Sequence, residues 1–142
     1  MVGSWQVWAG LSALFAALTA IFGKVGVSGV NSDYATLLRT LVIVVVLAAF
    51  VAATGQLQPI GQINRKSLLF LTFSALATGA SWVCYYRALQ LGPAARVAPV
   101  DKLSVVLVAL FGAVFLGERP SPQGWIGIAL IAAGAVLIAI KG

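Results

Sequence analysis

Four charged residues fall inside or at the margins of runs that otherwise hold almost no polar side chain: Arg39, Arg87, Asp101 and Lys102. A charge at the centre of a bilayer costs about 2.5 to 3.5 kcal/mol on insertion scales and less near the interface, so each needs compensation. Two readings meet that need. The four are ion pairs and snorkelled anchors, or they line a path for an ion or a solute. Asp101 carries the most weight, because it is the only carboxylate placed inside an apolar run; it is the candidate coupling residue, with Arg39 or Arg87 as its partner. Lys102 points about 100° away from Asp101 around a helix and needs a partner of its own, or the interface. A second group, Trp82, Tyr85, Tyr86 and Leu89, recurs at spacings of three, four and seven, which puts Trp82 on one helical face with both tyrosines. Aromatic side chains with polar tips line cavities for apolar, aromatic or cationic solutes, or form the interfacial belt of a span. Trp82, Tyr85, Tyr86, Arg39 and Lys102 are therefore the candidate substrate contacts. Ser74, Thr78 and Ser81 supply hydroxyls to the same helix or bond back to its carbonyls.

Other chemistries are excluded by what the chain lacks. It has no histidine, three acids and a single cysteine, Cys84. Nucleophile, base and orienting acid cannot be assembled from that set, and there is no glycine-rich phosphate loop, so the reading is not an enzyme. Neither a disulfide framework nor a Cys/His metal site can be built within one chain, and no cofactor is expected. Cys84 reads as a small apolar filler. The net charge of +6 comes from nine basic residues against three acids, the nine scattered between apolar runs with only Arg65 and Lys66 adjacent and no stripe that follows a phosphate backbone, so nucleic acid is not a partner.

The elements that must position these residues are membrane spans. Of the 142 residues 61% are hydrophobic and 8% charged, with a mean hydropathy of +1.05, far from the roughly 25% charge of soluble domains. The fold class is all-α: a polytopic bundle of five transmembrane helices at about 5–23, 33–54, 67–91, 97–117 and 121–140, forming one transmembrane domain over residues 1–142. Trp5 to Phe22 runs 18 residues without a charge, about 27 Å of helix, and Trp5 and Trp8 suit an aromatic belt. No basic n-region precedes it, so the first segment is expected to be retained. Leu41 to Ala53 is apolar throughout. Gly92-Pro93 forces a turn, and Pro99 is expected in the first turn of the fourth helix, where its missing N–H does least harm. Ser121 suits the N-cap and Pro122 the first position of the fifth.

Five spans put the termini on opposite sides. Loop and tail cations then divide evenly, Arg65, Lys66 and Arg119 against Lys24, Arg96 and Lys141. The positive-inside rule favours neither orientation unless Arg39, Arg87 and Lys102 are added to the carboxy-terminal side. An even division is what a dual-topology protein shows, inserting both ways and pairing as an antiparallel homodimer.

Four stretches resemble a known family: Tyr85-Tyr86-Arg87-Ala88-Leu89-Gln90-Leu91-Gly92-Pro93-Ala94, then Ala98-Pro99-Val100-Asp101-Lys102-Leu103-Ser104, then Leu116-Gly117-Glu118-Arg119, then Gly124-Trp125-Ile126-Gly127. They are similar to the EamA domain of the drug/metabolite transporter superfamily, with the specific signal from Tyr85 onward. The resemblance implies a membrane carrier of small organic solutes that works by alternating access, in the cytoplasmic (inner) membrane of a prokaryote. Most members have ten spans in two inverted domains, so this chain resembles half of a ten-helix inverted-repeat plan. Some relatives translocate lipid-linked sugars, and a non-transporting partner subunit is a further alternative. The last helix also resembles the dimerising helix of small multidrug resistance proteins, with Gly127, Ile131 and Gly134 as the dimer face. The first helix lacks the embedded glutamate of those exporters, which speaks against proton-driven efflux of cationic drugs. Glu118 resembles the family's acidic residue at the end of the fourth helix and reads as structural.

Overall fold

A computed structural model describes residues 4–141, and every regular element among them is a helix. Five segments are long and apolar enough to cross a membrane: Trp5–Gly26 (α1), Ser32–Ala53 (α2), Arg65–Leu91 (α3), Ala94–Phe115 and Pro122–Lys141. The fourth is broken into α4 (Ala94–Asp101) and α5 (Ser104–Phe115), and the fifth is α6. The lipid-facing character is plain on α3, where none of the most apolar stretch is buried and Phe70, Phe73 and Leu76 stand exposed. Because a helix pairs its backbone groups internally, such surfaces are at home in hydrocarbon.

The chain divides into two compact units, one formed by Val25–Gln90 and the other by the segments on either side. In the first of these, Asn31 caps α2: its side chain accepts from the backbone N–H groups of Asp33 and Tyr34 at 3.0 and 3.1 Å. At the far end the chain reverses through Gly55, whose φ of +66° is the left-handed conformation glycine adopts without penalty. The Gly55 N–H reaches the Ala52 carbonyl and the Gln56 N–H reaches that of Val51, closing the helix end. A single 3-10 turn, Ile60–Gln62, leads into α3.

In the other unit α6 packs against α4 and α5. Ser121 caps it, its Oγ accepting from the Gly124 N–H at 3.1 Å, with Pro122 as the first helical residue. The Lys24 ammonium donates to the Gly92 carbonyl at 2.9 Å and so ties the end of α1 to the turn before α4.

The fourth span departs from expectation. A continuous helix over 97–117 is expected with Pro99 in its first turn, but the helix starts at Ala94, directly after Pro93, which leaves Pro99 in its interior. Pro99 cannot donate to the Ala95 carbonyl. Beyond it the ladder tightens: Lys102 N–H is shared between Ala98 and Pro99, and Leu103, Val105 and Val106 each bond three residues back, to Val100, Lys102 and Leu103. Lys102 and Leu103 thus form a 3-10-like joint within the span.

Candidate substrate-binding site

The cap at Asn31 fixes which residues of α2 face inward. Ser32 and Thr36 are buried, and Arg39 and Thr40 lie about one turn further on the same side, partly buried. The Thr36 and Thr40 hydroxyls donate to the carbonyls four residues back, so neither offers its proton to a neighbour. On α3, Tyr86 and Leu89 are buried and Trp82 is partly so, at spacings of four and three that make one helical face.

The two faces meet in antiparallel order. At the rim, Arg87 grips Asp33 with both prongs of its guanidinium, Nε to Oδ1 at 2.9 Å and Nη2 to Oδ2 at 2.5 Å, and the Gln90 amide donates to the Val30 carbonyl at 2.9 Å. Bidentate pairing fixes orientation as well as distance. Two helical turns further along α2, the Arg39 guanidinium lies 4.3 Å from the centre of the Trp82 ring and 5.2 Å from that of Tyr86. Both distances fall within the roughly 6 Å range of cation–π attraction. Tyr85 stands edge-on to Tyr86, ring centres 6.2 Å apart. The stack leaves one atom uncompensated: Arg39 Nη1 is buried and meets no hydrogen-bond acceptor among the described residues.

Of the residues singled out in the sequence, then, Arg39, Trp82 and Tyr86 come together, with Tyr85 beside them. The carboxylate that meets Arg87 is Asp33, where the sequence reading weighs Asp101. In the sequence Asp33 reads as a helix start; yet the second span begins on the side where the third ends, which puts Asp33 and Arg87 at similar depth. Asp101 and Lys102 belong to the other unit and are neighbours of each other, Oδ2 to Nζ 3.5 Å, with both side chains well exposed. Thr78 donates to the Ser74 carbonyl at 2.8 Å, the second of the two roles open to it. Cys84 is exposed on the side of α3 away from Trp82 and Tyr86, not packed as filler. On α6, a Cβ added at Gly127 or Gly134 would meet nothing within 4 Å, and Ile131 between them is exposed. Glu118 folds over the end of α5: its N–H bonds to the Gly112 carbonyl at 3.0 Å, and its carboxylate covers the space where a Cβ on Gly112 would stand.

The profile of the EamA-like transporter family matches residues 3–140, nearly the whole chain. The chain belongs to that family. This EamA-like protein is 62% identical over 140 residues to an "Uncharacterized transporter in cobO 3'region" of Sinorhizobium, covering 99% of each chain. It is 26% identical to the "Uncharacterized transporter YxxF" of Bacillus subtilis, of whose longer chain it spans 44%. It is also 31% identical over 104 residues, 68% of its length, to a "Probable 4-amino-4-deoxy-L-arabinose-phosphoundecaprenol flippase subunit ArnE" of Salmonella paratyphi C, covering 94% of that protein. No solved structure matches it significantly. Membership and the five spans make the chain a multi-pass membrane protein of a transporter family.

Proposed function

We propose that the chain is one half of a carrier that moves a small organic solute across a prokaryotic cytoplasmic membrane by alternating access, working as an antiparallel homodimer. The observation that carries this reading is the Arg39–Trp82–Tyr86 cluster, a charge held part-way into a span by aromatic faces, in a chain of a transporter family. A charged residue at such depth is costly to keep, and in membrane proteins it marks a solute or ion path. In this reading Trp82, Tyr85, Tyr86 and Arg39 of one unit are solute contacts, and Arg87, paired with Asp33, holds α2 and α3 in register; in the other unit Lys102 is a candidate solute contact by residue type, and Asp101 is the candidate coupling or ion-pair residue. The open glycine face of α6, with Gly127, Ile131 and Gly134, supports the pairing, because close helix contact in lipid uses small residues. Inverted halves build a midplane site between them.

A second reading has its own support. The likeness to a protein named as a flippase subunit for a lipid-linked sugar favours a lipid substrate and assembly with another subunit. Counterflow in liposomes with a solute panel tests the first reading; flipping of a labelled lipid phosphate tests the second. For orientation, Cys84 is first replaced by alanine, and single cysteines at Ser4 and Lys141 are labelled from each side in turn. Each position reacting from both sides is the dual-topology result; one side only for each rejects the antiparallel dimer.

A further inference from the structure

The aromatic faces that would receive a cationic solute already hold the protein's own cation. Arg39 lies over both Trp82 and Tyr86, so a second positive charge brought to those rings would meet like-charge repulsion. The geometry points to the opposite ligand: we propose that Arg39 is the binding group for an oxyanion, a carboxylate or a phosphate, with Trp82 and Tyr86 as the platform that holds it. This rests on the reading of that cluster as the substrate contact and names the class of substrate.

Three observations carry it. First, both rings act on the charge of the guanidinium, whose Cζ lies 4.3 and 5.2 Å from their centres, and neither ring face offers it an oxygen acceptor. The rings therefore anchor Arg39 without supplying the paired oxygen acceptors that its fork recognises. Second, one donor of that fork, Nη1, is buried with no acceptor among the described residues, although buried charged donors are almost always satisfied. Third, the charge balance of this unit's inner face is incomplete. Arg87 is matched by Asp33, and Arg39 has no described carboxylate to match it. An oxyanion offers two acceptors in the spacing of the guanidinium fork and one negative charge.

The test uses the full chain in lipid nanodiscs. Trp5, Trp8 and Trp125, all exposed, are changed to phenylalanine so that Trp82 alone reports. Benzoate, phenyl phosphate and benzyltrimethylammonium are titrated as soluble probes of matched size, and dodecyl phosphate is added to the disc as the lipid-borne probe. Saturable changes in Trp82 fluorescence with the anionic probes and none with the ammonium probe are expected. Response to dodecyl phosphate alone identifies a lipid headgroup as the source, and response to benzoate or phenyl phosphate a soluble solute; either supports the proposal. Arg39→Gln should weaken anion binding at least about tenfold, the usual scale for losing a hydrogen-bonded charge. Should that variant not fold, Arg39→Lys keeps the charge without the fork, and should weaken binding at least about threefold. Ammonium binding as strong as anion binding, no anion binding at all, or unchanged affinity in the folded Arg39 variants overturns the proposal. Anion binding without counterflow in proteoliposomes retains the oxyanion site and rejects the carrier reading; counterflow of the ammonium probe without anion binding rejects the oxyanion site and keeps the carrier.

Discussion

Gly134→Leu separates the folding of one chain from the pairing of two. A Cβ built on Gly134 meets nothing within 4 Å, so within the chain the larger side chain enters open space. Replacing glycine by leucine inside a helix also raises helix propensity by about 0.5 to 1 kcal/mol. The isolated subunit should therefore be as stable as the wild type or slightly more so. At a close glycine-faced contact the same side chain has no room. Ordinary side chains set helix axes about 8–10 Å apart, and small residues are what permit less. Overpacking costs about 1 to 3 kcal/mol per site, and a homodimer carries the substitution twice. The dimer constant should weaken by at least about thirtyfold. Energy transfer between labelled copies, diluted with lipid in liposomes, measures that constant, and thermal unfolding in detergent reports on the subunit. An undiminished dimer refutes α6 as the contact. A subunit that loses stability refutes the open face itself.

The Asp33–Arg87 fork pins α2 to α3, so Asp33→Asn and Arg87→Gln should each lower the melting temperature in detergent. The exchange Asp33→Arg with Arg87→Asp should restore part of the loss, the remainder reflecting a cation at a helix start; no recovery would show that the pair is not what joins them. Asp101→Asn should abolish the pH dependence of counterflow while leaving exchange itself, and an unchanged pH profile removes Asp101 from coupling. Gly112→Ala should stay within about 1 kcal/mol of wild type, because its Cβ would stand 2.7 Å from Glu118 Oε2, the mobile end of a flexible side chain, and the helix gains propensity in return. A loss of several kcal/mol in chemical unfolding would mean that the carboxylate cannot move aside.

Spans were legible because uninterrupted apolar runs leave a backbone few alternatives in lipid, and the periodicity of Trp82 and Tyr86 showed one face of α3 directly. What the sequence concealed were relations between elements. Pro99 looked harmless at a helix start, since nothing in Ala94-Ala95-Arg96 announces that the helix already begins at Ala94. The joint at Lys102 and Leu103 lies in a stretch whose composition is helical throughout. Asp33 was hidden by a second role, being close to the Asn31 cap, where an acid is favourable for the helix alone. That Arg39 lies on Trp82 depends on which face of α2 turns toward α3, and only pairing two helices settles that.

The energetics of Arg39 explain why its platform and its unpaired donor belong together. Bringing its charge to the bilayer centre would cost about 2.5 to 3.5 kcal/mol, and the cost at its actual depth is smaller. Two aromatic faces return about 0.5 to 2 kcal/mol each, which is of the same size. Cation–π attraction thus suffices to keep the cation inside the protein. It does nothing for Nη1, whose buried, unmade hydrogen bond costs about 1 to 3 kcal/mol. A residue kept only for stability would be better replaced by methionine, which packs on the same rings with no donor left over. The arginine therefore stores unsatisfied binding capacity at a place where the described helices contribute no acceptor, and a ligand that supplies one gains the interaction without first displacing a partner. This is the energetic condition for selective binding in an apolar setting, and of the two embedded arginines of this unit Arg39 meets it, because Arg87 already commits its fork to Asp33.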